Sequence, residues 1–113
     1  MSEGKKFDSE KLDWSLLDYD LLEPLIPVLK LGEWRYDFEN WKKDFGPNYH
    51  RRFLAAMRRH DRASSHDPLA TNPDDGDVYH LAQVAINALF LLYHARLKES
   101  TQDSKKHKKT PLP

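Results

Sequence analysis

The stretch Asp77-Val78-Tyr79-His80-Leu81-Ala82-Gln83-Val84-Ala85-Ile86-Asn87-Ala88-Leu89-Phe90-Leu91-Leu92-Tyr93 decides the fold. It has no glycine or proline and is rich in Leu and Ala, so it predicts a long helix from about 77 to 98. Most of it is apolar and belongs in a core. Yet Asp77, His80, Gln83 and Asn87 follow one another at steps of three, three and four, which stacks four polar side chains on one helix face. Such a line has three fates. It is wet, it is paired inside the protein, or it is bound to a ligand.

Working outward, residues 63–76 are rich in Ser, Asp, Asn and Pro and read as a loop. Before them, Tyr49, Phe53, Ala56, Met57 and His60 keep helical spacing over about 49–62, with Asn48 as the expected cap. Arg52 and Arg59, seven apart, share one side of that helix, with small Ala55 and Ala56 between them. The Gly46-Pro47 pair breaks the chain, and residues 38–48 read as loop or turn. A further helical stripe (Leu21, Leu22, Leu25, Val28, Leu29) covers 19–36, capped by Asp18 or Asp20. Pro27 is expected to kink it or delay its start. If that helix continues past Gly32, Glu33 and Asp37 share a face.

The fold class expected is all-α: a small bundle of three to four helices over residues 15–98, with a flexible arm at 1–14 and a disordered basic tail at 99–113. The arm reads as solvated chain anchored by Trp14, or as a segment whose lysines close over a phosphate. At 113 residues with 39% hydrophobic content, the helices do not fully cover one another, and a homo-oligomer is expected. Eighteen basic and eighteen acidic residues balance, so bulk charge gives no case for a stable nucleic-acid or membrane-surface partner. The absence of cysteine excludes disulfides, thiolate metal sites and a Cys nucleophile. No apolar run reaches the roughly 20 residues of a membrane span. The polar opening carries no signal-peptide pattern, so an intracellular location is expected.

Several chemistries find no support. The four glycines lie far apart and form no phosphate loop, and no His-Glu-x-x-His is present. His60-Asp61 alone does not make an HD-type metal phosphohydrolase. A carboxylate cage for Mg²⁺ is open to Glu33 and Asp37 facing Asp74, Asp75 or Asp77, with a metal-held water as the attacking group. An anion cradle is open to Arg35, Arg52, Arg59 and the amino-terminal lysines. Trp34, Trp41, Tyr36 and Tyr79 offer stacking faces for a base, and His80, Gln83 and Asn87 offer donors and acceptors to read it. Each of these residues is more often structural when taken alone.

Four segments in order resemble the dATP/dGTP diphosphohydrolase amino-terminal family, common in bacteriophage genomes. They are Lys6-Phe7-Asp8-Ser9-Glu10-Lys11-Leu12; Val28-Leu29-x-Leu31-Gly32-x-x-Arg35-Tyr36 with Asn40-Trp41; Arg52-Phe53-Leu54-Ala55-Ala56-x-x-Arg59-His60; and His80-Leu81-Ala82-Gln83-x-Ala85-x-Asn87-Ala88-Leu89-Phe90-Leu91-Leu92. Glu10 stands where the family opening carries Gly, and Gln83 where it often carries a second His. The resemblance implies an all-α fold and cleavage of a purine deoxynucleotide between its α and β phosphates, with a divalent metal, in the cytoplasm of an infected bacterium.

The expected assignment follows. Lys6, Lys11, Arg52 and Arg59 hold phosphates; Asn87 and Trp41 position the base or sugar; Arg35, Tyr36, Asn40 and His60 complete the binding set. Asp77 and His80 are the expected catalytic pair, and Glu33, Asp37 and Asp77 the Mg²⁺ ligands. Two rivals stand beside it. One is a sponge that sequesters a cyclic or other nucleotide signal of host defence, with no cofactor. The other is a structural bundle whose polar line is paired inside.

Overall fold

The computed structural model describes residues 4–5 and 9–103, the last three as backbone only. Its architecture is helical. After a 3₁₀ turn at Trp14–Leu16 come α1 (Tyr19–Leu22), α2 (Leu25–Arg35), a 3₁₀ turn at Asn40–Lys42 and α3 (Tyr49–Ala63). Then come β1 (Thr71–Asn72), a 3₁₀ turn at Pro73–Asp75, β2 (Val78–Tyr79) and α4 (His80–Asp103). The strands pair antiparallel, Thr71 with Tyr79 and Asn72 with Val78. Among the described residues, no helix is long and apolar enough to cross a membrane.

The helix expected at 19–36 is two pieces. Asp18 caps α1, its carboxylate accepting from the Asp20 N–H at 2.8 Å. Pro24 has no N–H to donate, so the ladder restarts at Leu25. Pro27 therefore falls in the first turn of α2 and delays the start rather than kinking the helix. Gly32 lies within α2, and its carbonyl accepts from Tyr36 as the helix closes at Arg35. Asp37 lies beyond that end, so it does not share a helical face with Glu33.

The long helix begins three residues later than its composition predicts. Gly76 and Asp77 both take positive φ, 67° and 59°, which turns the chain back as a hairpin. Gly has no Cβ to clash there, and Asp tolerates the left-handed region better than most residues. Val78 and Tyr79 then extend as β2, and the His80 N–H donates to Ala70 O at 3.0 Å. The hairpin thus takes its first strand from the segment expected as loop and its second from the expected start of the helix. At the other end α4 continues past 98 to Asp103; residues 104–113 of the expected tail lie outside the described chain. Asn48 stands at the N-cap position of α3, but its side chain makes no capping bond.

The core is thin. Phe53, Val78, Ala82 and Ile86 are its buried apolar residues, and it lies mainly between α3 and α4. Aromatic packing extends it. Phe53 meets Phe45 edge-on, ring centroids 5.1 Å apart, and lies almost parallel to the His94 ring. Trp41 stacks on Phe90 at 5.1 Å and meets Tyr93 edge-on. These contacts fasten the 36–48 linker to α4. Trp14 anchors nothing here: it is 71% exposed. Because Phe53 joins both aromatic groups, Phe53→Ala should cost about 3 kcal/mol of unfolding free energy, read as a lowered urea midpoint with helical content retained.

Candidate functional site

The polar face of α4 is paired, and its acid is Asp75. Gln83, 4% exposed, donates its amide N–H to Asp75 Oδ2 at 2.7 Å. Asn72 Nδ2 donates to the same oxygen at 3.1 Å and to Gln83 Oε1 at 3.3 Å. Arg35 closes the group from α2. Its Nη2 meets Asp75 Oδ1 at 2.5 Å and the Asp74 carbonyl at 3.2 Å. Burial alone pushes the Asp75 carboxyl up. The hydrogen bonds from Gln83 and Arg35 and the nearby positive charges outweigh that and hold it below the usual carboxylate range. Asp77, expected as catalyst and metal ligand, instead forms the hairpin turn. It is exposed, and its N–H donates to Asn72 O at 2.9 Å.

His80 faces His60 across the α3–α4 contact, Nδ1 to Nδ1 at 3.0 Å. One ring must donate and the other accept, so the pair holds when at most one imidazole is charged. Burial, then the neighbouring His80, lowers the His60 pKa, against a weaker pull upward from Asp75. Farther along α4, His94 is 4% exposed, and its Nε2 donates to Trp41 O at 2.6 Å. A carbonyl only accepts, so Nε2 carries the proton. His94 continues the face of Asn87 by seven residues, a spacing that sequence reading could have followed one step further. Among the described residues, no side-chain N or O is both buried and without a partner.

Beside this network lies an open cleft of about 900 Å³. Glu33, Tyr36 and Asp37 line it from α2 and its exit, Asn40 and Trp41 from the linker. Arg52 and Arg59 face it from α3, and Asn87 from α4. Among the described residues, neither guanidinium pairs with a carboxylate; Arg52 rests over the Phe45 ring at 5.5 Å. The Asn87 amide donates to its own helix at Gln83 O, 2.8 Å away. Trp41 is a wall rather than a free stacking face, with Phe90 on its ring and Lys42 Nζ 5.2 Å from its centroid. Tyr36, 69% exposed, and Phe38, 73% exposed, are the open aromatics.

The other expected site residues lie elsewhere. Arg35, His60 and His80 belong to the paired network. Trp34 borders a separate groove of about 530 Å³ with Pro27, Leu31 and Val78. Lys11 is exposed and does not line the cleft, and Lys6 lies outside the described residues. Glu33, Asp37 and Asp77 do not form a cage: among the described residues, no three His or carboxylate side chains group as metal ligands. Asp37 is held instead by Lys43 at 3.2 Å, and Asp77 is carried off by the hairpin turn.

His60 and Asp75 both make stability fall with acid. His60 has a folded pKa below its unfolded value near 6.5, so the unfolded chain takes up the proton first and stability drops as pH falls through that value. Asp75 contributes stability above its unfolded pKa, and this is lost as pH falls through the folded one. Urea midpoints should therefore decline between about pH 7 and 5, and again below about pH 4. His60→Gln should flatten the first decline and leave the second.

A family model described as dATP/dGTP diphosphohydrolase, N-terminal, matches residues 1–104. No curated protein and no solved structure matches the chain. With nearly the whole sequence covered by that model, and the helical architecture in place, the chain belongs to the dATP/dGTP diphosphohydrolase N-terminal family.

Proposed function

We propose that the cleft between α2, the linker, α3 and α4 binds a purine deoxynucleoside triphosphate. The observation that carries this is the shared lining: Arg52 and Arg59, without carboxylate partners among the described residues, face the same space as Tyr36 and Asn87. Two guanidinium groups seven residues apart on α3 suit a polyphosphate, since each offers a bidentate fork to its oxygens. Tyr36 offers a stacking face to the base, and the Asn87 amide oxygen, free of the bond its nitrogen makes, accepts from a ring or sugar donor. The nucleotide-hydrolase family to which the chain belongs supports the same substrate class.

Hydrolysis would draw on Glu33 and Asp37, the carboxylates of the expected metal set that line the cleft. Mg²⁺ is commonly held by one or two carboxylates together with substrate phosphates, so a preformed cage is not required for it to enter with the nucleotide. Bound there, the ion would neutralise phosphate charge and activate a water. The chain's own residues would hold and orient the polyphosphate for that attack. A second reading is sequestration without turnover. The lack of any three grouped ligands among the described residues favours it.

The test incubates the protein with dATP, dGTP and cyclic dinucleotides, with and without Mg²⁺, and analyses nucleotides before and after heat denaturation. Monophosphate and pyrophosphate establish hydrolysis. Intact nucleotide recovered only after heating establishes sequestration. Neither retention nor turnover with any of these ligands overturns the nucleotide reading. Arg52→Ala and Arg59→Ala should each weaken triphosphate binding by about tenfold or more, since a charged hydrogen bond contributes about 1.5–3 kcal/mol.

A further inference from the structure

Every described residue from Ser9 to Leu21 is exposed, although the segment is locally ordered. Asp13 caps the 3₁₀ turn and Asp18 caps α1. Leu12, Trp14, Leu16, Tyr19 and Leu21 stand between 70% and 89% exposed. Together they present roughly 700 Å² of side-chain surface, from the area each aromatic and aliphatic group carries. That is close to the ~800 Å² that one partner gives to a standard protein interface. Among them lie Glu10, Asp13, Asp18, Asp20 and Glu23, against the single Lys11. The arm is thus both apolar and acidic, and among the described residues nothing buries those side chains.

The complementary surface is on α3. Residues 49–63 carry five arginines and one carboxylate. Arg52 and Arg59 face the cleft. Arg51, Arg58 and Arg62, at steps of seven and four with Ala55 between, form an adjoining exposed ridge. None of the three pairs with a carboxylate among the described residues. The small Ala55 leaves room on the ridge for a large side chain. A chain that carries both halves of a charge match is self-complementary, and a two-fold contact uses each half twice.

We propose that the arm, residues 9–23, docks on the Arg51–Arg58–Arg62 ridge of a second copy of this chain, and that the exchange is reciprocal. Two arms on two ridges bury the apolar side chains that one copy leaves in water. The ridge adjoins the arginines of the cleft without using them. The ridge arginines do not line the cleft, so sedimentation tests this contact separately from nucleotide binding.

The full chain should sediment at twice the monomer mass at low salt and shift toward monomer at about 1 M, where screening is nearly complete over a few ångströms. Arg58→Glu and Asp20→Arg should each give monomers with unchanged circular dichroism. Mixed in equal amounts, the two variants should recover the double mass, because the reversed arm of one meets the reversed ridge of the other. A wild-type chain that is monomeric throughout, variants that both keep the double mass, or a mixture that stays monomeric would each overturn the proposal.

Discussion

The structure depends on one carboxylate. Gln83 is buried on a helix that must pack, so its amide needs partners inside the protein. Asp75 provides the acceptor, and a half-buried carboxylate in turn needs a cation, which Arg35 brings from α2. α2, distant in sequence, is thereby fixed to the hairpin and to the helix α4 that follows it. Apolar contacts among Ala82, Ile86 and Val78 are non-directional and specify this register less sharply than directional bonds do. The charge also explains why the hairpin, only two residue pairs long, holds its place.

Much of this was legible in the sequence. The α3 stripe carries a strong 3.6-residue period, whereas α4 is marked by a run of helix formers without glycine or proline; both helices form, and α4 starts three residues later than that run suggests. The hairpin was not legible. Val78 and Tyr79 are too few to show an alternating pattern, and they run without a break into good helix formers. The sign was Gly76, whose positive φ permits the reversal, but one glycine before a helix reads equally well as a loop end. Misplacing that start by three residues put Asp77 on the polar face. The true acid, Asp75, comes from the turn and reaches the helix from outside, a contact that no helical spacing encodes.

The cleft was legible in part. Spacing placed Arg52 and Arg59 on one side of α3, and both line it together with Asn87. Spacing alone did not show that Glu33 and Asp37 would be separated by the end of α2, or that Trp41 would turn its ring onto Phe90. Aromatic residues in a lean chain are claimed first by the core, because few other side chains remove so much surface from water. Tyr36, by contrast, is left exposed by the core. Arginines of α3 and carboxylates of the linker line the same cleft, so its wall carries both signs of charge.

His94 grips the linker through the carbonyl of Trp41, not through its side chain. Every residue type at that position has a carbonyl, so the tether survives changes in the ring that shapes the cleft. Backbone fastening thereby separates two inheritable traits, where the wall stands and what it is made of. Substitutions along residues 36–43 that spare the Trp41–Phe90 stack leave this backbone tether in place. A lineage built on this scaffold has a route to a differently surfaced wall that leaves the bundle intact.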